Sequence, residues 1–105
     1  MKTPHYAVIF TSTLINIDDS KYHAFSKEML ETVTSASGFL GLESYRENEG
    51  KGVTISYWKT VSDIQKWKQN TRHLIAQEYG REEAYSSYRV RVCEVQHSYQ
   101  FNKNE

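Results

Sequence analysis

Between Trp67 and Gln77 the stretch "WKQNTRHLIAQ" spaces a tryptophan, an asparagine, a histidine and a glutamine at three- and four-residue steps. An imidazole with an ordinary pKa near 6.5 can accept a proton, or ligate iron, at neutral pH. An amide can orient a carbonyl or hydroxyl group by hydrogen bonding. An indole offers a broad apolar wall. On one continuous helix, at roughly 100° per residue, Leu74 falls about 20° from Trp67. Asn70, Gln77 and His73 then fall about 60°, 80° and 120° to that same side. They form a polar shoulder beside an apolar stripe, with Trp67 as the floor of a pocket edge. Lys66 falls in the same sector, so the pattern also fits a solvated face, and a helix break near Asn70-Thr71 would shift these angles. Its plain reading is core packing for Trp67, a surface or capping role for Asn70 and exposure for His73.

Other chemistries are excluded by what is missing. His5, His23 and His97 are dispersed and offer no metal-ligand spacing. No H-E-x-x-H, C-x-x-C, Walker or G-x-G-x-x-G pattern occurs, and no serine or cysteine sits in a nucleophile motif. The chain is therefore not expected to be a metallohydrolase, a nucleotide enzyme or a classical hydrolase, and no metal site is expected. The single cysteine, Cys93 in "YRVRVCEV", rules out an intrachain disulfide and reads as a small hydrophobe on a strand.

The elements that must position these residues belong to one expected domain, residues 1–105, with a core from about Tyr6 to Phe101. Thirteen basic and thirteen acidic side chains cancel, so neither a nucleic-acid stripe nor an acidic tail stands out. Eight tyrosines predict a core with polar edges, because each buries a ring and keeps a hydroxyl. The longest clean apolar run, Tyr6–Phe10, is far shorter than the roughly 20 residues of a membrane span. No signal-peptide pattern opens the chain. The expectation is a soluble, cytoplasmic protein with no nucleic-acid or membrane partner.

"HYAVIFTSTLI" reads as a strand apolar on both faces: Tyr6, Val8, Phe10 and Leu14 on one, Ala7, Ile9 and Ile15 on the other. A helix follows, capped by Asp18, Asp19 or Ser20, striped by Tyr22, Phe25, Met29, Val33 and Ala36, and ended by Gly38. "FLGLESYRE" and "GVTISYW" read as strands joined by the hairpin turn "NEGKG". A second helical region begins with a Ser62–Gln65 capping box. Its stripe is Ile64, Trp67, Thr71, Leu74 and Ile75, and Gly80 stops it. "REEAYSS" connects to a long last strand, "YRVRVCEVQHSYQF". Arg89 and Arg91 share one face there and suggest cross-strand pairs with Glu43 or Glu47. Tyr57 and Trp58 end the third strand facing opposite ways.

The order β-α-β-β-α-β predicts a ferredoxin-like α+β fold, a four-stranded antiparallel sheet with two helices on one face. The bare, partly apolar face predicts a homodimer, reached in part by an overhanging last strand.

This order, with "SGFLGLES", "TISYWKTVSDIQKWKQNTRHLIAQ" and "YRVRVCEV", resembles the antibiotic biosynthesis monooxygenase (ABM) superfamily of dimeric α+β barrels over almost the whole chain. The resemblance implies a cavity between helices and sheet. There, cofactor-free members oxidise quinol-like aromatic substrates with O₂. On that reading Trp67, Tyr57 and Phe10 form apolar walls, Thr11 and Gln77 add contacts, His73 accepts a proton and Asn70 is its hydrogen-bonding companion. The expected partners are a second copy and a small-molecule substrate, with no cofactor. A non-catalytic ligand- or partner-binding dimer is a further alternative. Haem-degrading members provide another, with an asparagine on the first strand and a histidine ten residues after the tryptophan. Here those places hold Phe10 and Thr11, and Gln77. Haem would have to bind through His73.

Overall fold

β-Branched and aromatic side chains keep β1 (Tyr6–Leu14) extended. The computed structural model describes residues 5–103, apart from the side chains of Thr71 and Arg72. After β1 come α1 (Ser20–Val33), β2 (Phe39–Arg46), β3 (Lys51–Trp58), α2 (Val61–Lys68) and α3 (Thr71–Tyr79). A π-helical turn (Gly80–Ala84) then leads into β4 (Tyr85–Glu94). The strands form one antiparallel sheet in the order β2-β3-β1-β4. This is the expected ferredoxin-like α+β fold, with its second helical layer in segments.

Alternation along β1 divides the sheet into two faces. Tyr6, Val8, Phe10 and Ser12 lie beside Trp58, Ser56, Thr54 and Gly52 of β3 on the covered face. There Val33 of α1 and Ile64 of α2 close on Trp58, and Tyr6, Val8, Phe39, Leu42 and Trp67 extend the cluster. Trp58 is 1% exposed, and its indole N–H donates to Ser56 Oγ at 2.9 Å. The other face presents Ala7, Ile9 and Thr11, beside Tyr57, Ile55 and Val53. Cys93 stands level with Ala7 on this face and is half-buried.

The helix boundaries correct several expectations. Asp19 caps α1, accepting from the Tyr22 N–H at 3.0 Å. The helix ends at Val33, not at Gly38, and Thr34 is its C-cap. The hydroxyls of Thr32 and Thr34 bond back to the carbonyls of Glu28 and Glu31, competing with the helical ladder near its end. Gly38 instead turns the chain into β2 with φ of 76°, where a Cβ would collide with the Asp63 carboxylate. The cap of α2 is Thr60, two residues before the expected Ser62. Thr60 Oγ1 accepts from the Asp63 N–H at 3.0 Å and donates to Asp63 Oδ2 at 2.8 Å. Ser62 already lies inside the helix.

The second helical region breaks just before Thr71, at the place where the sequence allowed a break. The Gln69 N–H bonds to the Lys66 and Trp67 carbonyls, and the Asn70 N–H to Trp67 O, so α2 closes tightly. Asn70 restarts the chain as α3 by accepting the His73 N–H on its side-chain oxygen at 3.2 Å. The break rotates α3 away from the straight-helix phase. Leu74 and Ile75, expected on the core stripe, are 48% and 45% exposed; the side chain of Thr71, expected beside them, lies outside the described residues. α3 ends at Tyr79, and Gly80, expected to stop the helical region, instead opens the π-helical turn that carries it on to Ala84. The hydroxyl of Tyr79 donates to Asp19 Oδ2 at 2.6 Å, tying α3 to the start of α1.

β4 starts three residues before the expected Tyr88 and ends at Glu94. Beyond it the described residues, 95–103, have no regular structure, so the strand expected to run to Phe101 stops short. Arg89 and Arg91 stand on the opposite sheet edge from Glu43, so a cross-strand pair within the chain is ruled out by strand order. No described helix is long and apolar enough to cross a membrane.

Candidate functional site

Trp67, in the last turn of α2, and His73, in the first turn of α3, come together because the helix breaks between them. Their rings lie 5.0 Å apart at 55°. Trp67 in turn lies 6.4 Å from the buried Trp58, and Trp58 meets Phe39 edge-on at 5.4 Å. An aromatic row thus runs from the core to the histidine. Burial disfavours the imidazolium and pushes the His73 pKa below its ordinary 6.5; the nearby Lys68 charge adds to this. His73 is therefore held as the neutral base at neutral pH.

Asn70 sits between the two rings in sequence, and its carbonyl oxygen fixes the backbone of His73. Trp67 and Asn70 line a cleft of about 180 Å³ with Ala36, Ser37, Asp63 and Lys66. One wall is locked by the Ser37 hydroxyl, which donates to Asp63 Oδ1 at 3.0 Å. Hydrogen bonds from Thr60 and Ser37 hold the Asp63 carboxyl below its ordinary range, so it remains charged at neutral pH. Gln77 is half-buried and four residues beyond His73 on α3, hence on the same helix face. Among the described residues no cluster of three His, Cys, Asp or Glu side chains is arranged to hold a metal ion.

The remaining expected site residues lie elsewhere. Phe10 shares the covered face but packs with Tyr85 and Tyr88, each 5.5 Å away, towards the Leu14 end of the sheet. Thr11 points to the bare face, as the neighbour of Phe10 must. Tyr57 also lies there, its hydroxyl donating to Glu43 Oε1 at 3.0 Å. The third strand sends Trp58, not Tyr57, towards the helices. Trp67, Tyr57 and Phe10 therefore do not enclose one pocket.

A second polar cluster on the covered face escaped the sequence reading. The Arg46 guanidinium donates to Ser12 Oγ at 2.8 Å and to the Tyr22 hydroxyl at 3.3 Å, and also bonds the Gly50 carbonyl. Tyr85 meets Tyr22 edge-on at 5.6 Å, and burial strongly raises its pKa. Gly52 leaves room for Arg46, and Gly80 leaves room for Tyr85. Those glycines were the available signal. A larger groove of about 600 Å³ lies on the bare face, beside Thr11, Thr13, Tyr45, Lys51, Val53 and Arg89. It is on the far side of the sheet from Trp67 and His73.

Residues 6–79 match the family described as antibiotic biosynthesis monooxygenase, ABM. With this match over most of the chain, the protein belongs to that family. A Bacillus subtilis (strain 168) relative, named uncharacterized protein YqjZ, is 41% identical over 101 residues, covering 96% of this chain and 88% of the relative. The jasmonate monooxygenase ABM of Pyricularia oryzae is 25% identical over 100 residues, covering 93% of this chain. This chain spans only 46% of that longer relative. Among solved structures, SnoaB, a cofactor-independent oxygenase from Streptomyces nogalater, matches with a TM-score of 0.76 at 11% identity. The match covers 91% of this chain and 97% of SnoaB. PA3566 from Pseudomonas aeruginosa matches with a TM-score of 0.75 at 10% identity, covering 92% and 99% of the two chains. At this identity the structural matches establish the fold.

Proposed function

We propose that this protein is a homodimeric, cofactor-independent monooxygenase that oxidises a small, planar, aromatic substrate with O₂. The observation that carries the reading is the neutral, half-buried His73 held against Trp67, which lines the cleft together with Asn70; His73 and Gln77 are not among the lining residues. Family membership supports the reaction class. Trp67 stacks on the substrate ring, Asn70 and Gln77 bond its oxygen substituents, and His73 takes the phenolic proton. The resulting electron-rich phenolate reduces O₂ directly. For a simple phenol the balance is one phenol plus one O₂ giving one quinone and one water. One oxygen atom enters the ring, the other leaves as water, and the substrate supplies every electron. Phe10 lies further along the covered face, while Thr11 and Tyr57 take no part in this cleft.

The homodimer rests on the bare face. Ala7, Ile9, Val53, Ile55 and Tyr57 form an apolar band that no helix of the chain covers. The Cα radius of gyration is 14.7 Å, against about 13 Å for a compact chain of this length.

The test is oxygen uptake by metal-stripped protein with a panel of hydroquinones, naphthols and anthrones. The expected result is substrate-dependent uptake that falls about a hundredfold in His73→Ala, with the oligomeric state unchanged. Uptake at an equal rate in the variant would remove His73 from the mechanism. No uptake across the panel would overturn the oxygenase reading.

A further inference from the structure

We infer that the aromatic row behind His73 is a route for oxidising equivalents: Trp67, Trp58 and Tyr6 carry a hole from the cleft to the surface and so spare the histidine. The source of the oxidant rests on the oxygenase reading, whereas the route itself rests on where the rings are placed.

The chain has two tryptophans, and both belong to this row. Their ring centroids lie 6.4 Å apart at 32°, and His73 lies 5.0 Å beyond Trp67. Phe39 meets Trp58 edge-on at 5.4 Å, but a benzene ring is too hard to oxidise to carry a hole. Tyr6 stands directly opposite Trp58 on the β1–β3 ladder, where Cβ atoms are about 5 Å apart, and packs on the same cluster. A phenol that can shed its proton is oxidised at neutral pH slightly more easily than an indole, so the hole runs downhill to Tyr6. Tyr6 is half-buried and adjoins the exposed His5, so the row ends where water can take the phenolic proton. The Trp58 N–H donates to Ser56 Oγ at 2.9 Å, and a serine hydroxyl is too weak a base to remove it. The oxidised indole therefore stays a radical cation and passes the hole on. Tyr57 adjoins Trp58 in sequence, but alternation puts its ring on the other side of the sheet.

The proposed reaction supplies the oxidant. O₂ adding to the phenolate forms an organic hydroperoxide, R–O–OH, which loses water to give the quinone. Homolysis of the O–O bond instead leaves an alkoxyl radical, RO•, and a hydroxyl radical. Each needs one electron and one proton to become ROH or water. Trp67 gives up the electron, Trp58 replaces it, and Tyr6 replaces that of Trp58. The phenolic proton that Tyr6 releases balances the proton taken up at the cleft. The sum is RO• plus Tyr–OH giving ROH plus Tyr–O•, and the hydroxyl radical is reduced to water in the same way. A soluble thiol then returns a hydrogen atom to Tyr6 and leaves as a thiyl radical. Without this route the radical attacks Trp67 or His73, and the loss of His73 removes the base.

Pulse radiolysis of the full chain tests the route without any substrate. The azide radical oxidises indoles in preference to phenols at neutral pH, so Trp67, the more exposed of the two tryptophans, is hit first. The expected result is decay of a tryptophan radical with a matching rise of a tyrosyl radical, at a rate independent of protein concentration. Tyr6→Phe, which keeps the ring and its packing, should abolish that rise, and Tyr57→Phe should leave it intact. No intramolecular transfer in wild type, an equal rise in Tyr6→Phe, or its loss in Tyr57→Phe overturns the inference. The protective role is read in turnover with a phenolic substrate. Tyr6→Phe should start at the wild-type rate but inactivate after fewer turnovers, with oxygenated Trp67 or His73 found by peptide mass spectrometry. Equal numbers of turnovers before inactivation would overturn protection. Transfer to Tyr6 in a protein that takes up no oxygen with any phenol would leave the route standing and remove the oxygenase reading.

Discussion

His73 gains its chemical character from burial. Because burial holds its folded pKa below 6.5, the imidazole is neutral at neutral pH. The acid limb of kcat/KM against pH should therefore have its inflection below 6.5; an inflection at or above 6.5 would contradict His73 as the base. Stability follows the same sign. Between the folded pKa and 6.5 the unfolded chain binds more protons than the folded one, so stability falls on acidification through that window and is fully retained above it. Residue type and helical spacing, together with the family resemblance, brought Trp67, Asn70 and His73 to attention. The parity of the third strand was harder. Alternation says that Tyr57 and Trp58 face opposite ways, but not which one faces inward. The bulge between Phe39 and Gly41 and the wedge of Val33 and Ile64 fix that choice, and both are tertiary.

At the scale of elements, the decisive event is the break at Gln69–Asn70. It lets Asn70 cap α3 through its side-chain oxygen, a task separable from the substrate bonding proposed for it. Asn70→Ala should lose both, with a stability loss of about 1 kcal/mol in urea titration. Asn70→Ser keeps a capping oxygen and should retain most of the stability while turnover still falls. Equal turnover in Asn70→Ser and wild type would leave the cap as its whole role. The break was only partly legible in the sequence. Asn70-Thr71 is a weak helical pair, yet Trp67 and Leu74 keep helical spacing across it. Phase could not be read until the new cap was seen. The same ambiguity moved the α2 cap from Ser62 to Thr60, since both are hydroxyl residues placed before an acidic or amide side chain. Thr60 wins because its φ of −143° and ψ of 158° are those of a cap, and because Asp63 answers its hydroxyl.

At the scale of the whole molecule, burial is concentrated at the two ends of the sheet. Trp58, Val33 and Ile64 seal one end, and Leu14 and Ala84 the other. The facing helix stripe of Tyr22, Phe25 and Met29 is half-buried, so the layer between is lightly filled. The ferredoxin-like fold was legible because the chain order of strands and helices could be read from their patterning. The edges were not, because Arg89, Arg91 and Glu43 share a face without sharing a neighbour. The haem alternative finds Gln77 where haem-degrading members have a histidine and would have to use His73, because glutamine is a poor iron ligand. Haemin titration should accordingly give no saturable Soret shift at one haem per chain; a sharp stoichiometric shift followed by bleaching under reductant would favour haem chemistry instead. The central claim is direct oxidation of an organic substrate by O₂ at His73 and Trp67. It is tested most directly by turnover under ¹⁸O₂ with the best phenolic substrate and mass spectrometry of the product. The account predicts one ¹⁸O atom per quinone, the second recovered in water, and labelled product formed about a hundredfold more slowly by His73→Ala. Unlabelled product, or two labelled atoms in one product molecule, would contradict it.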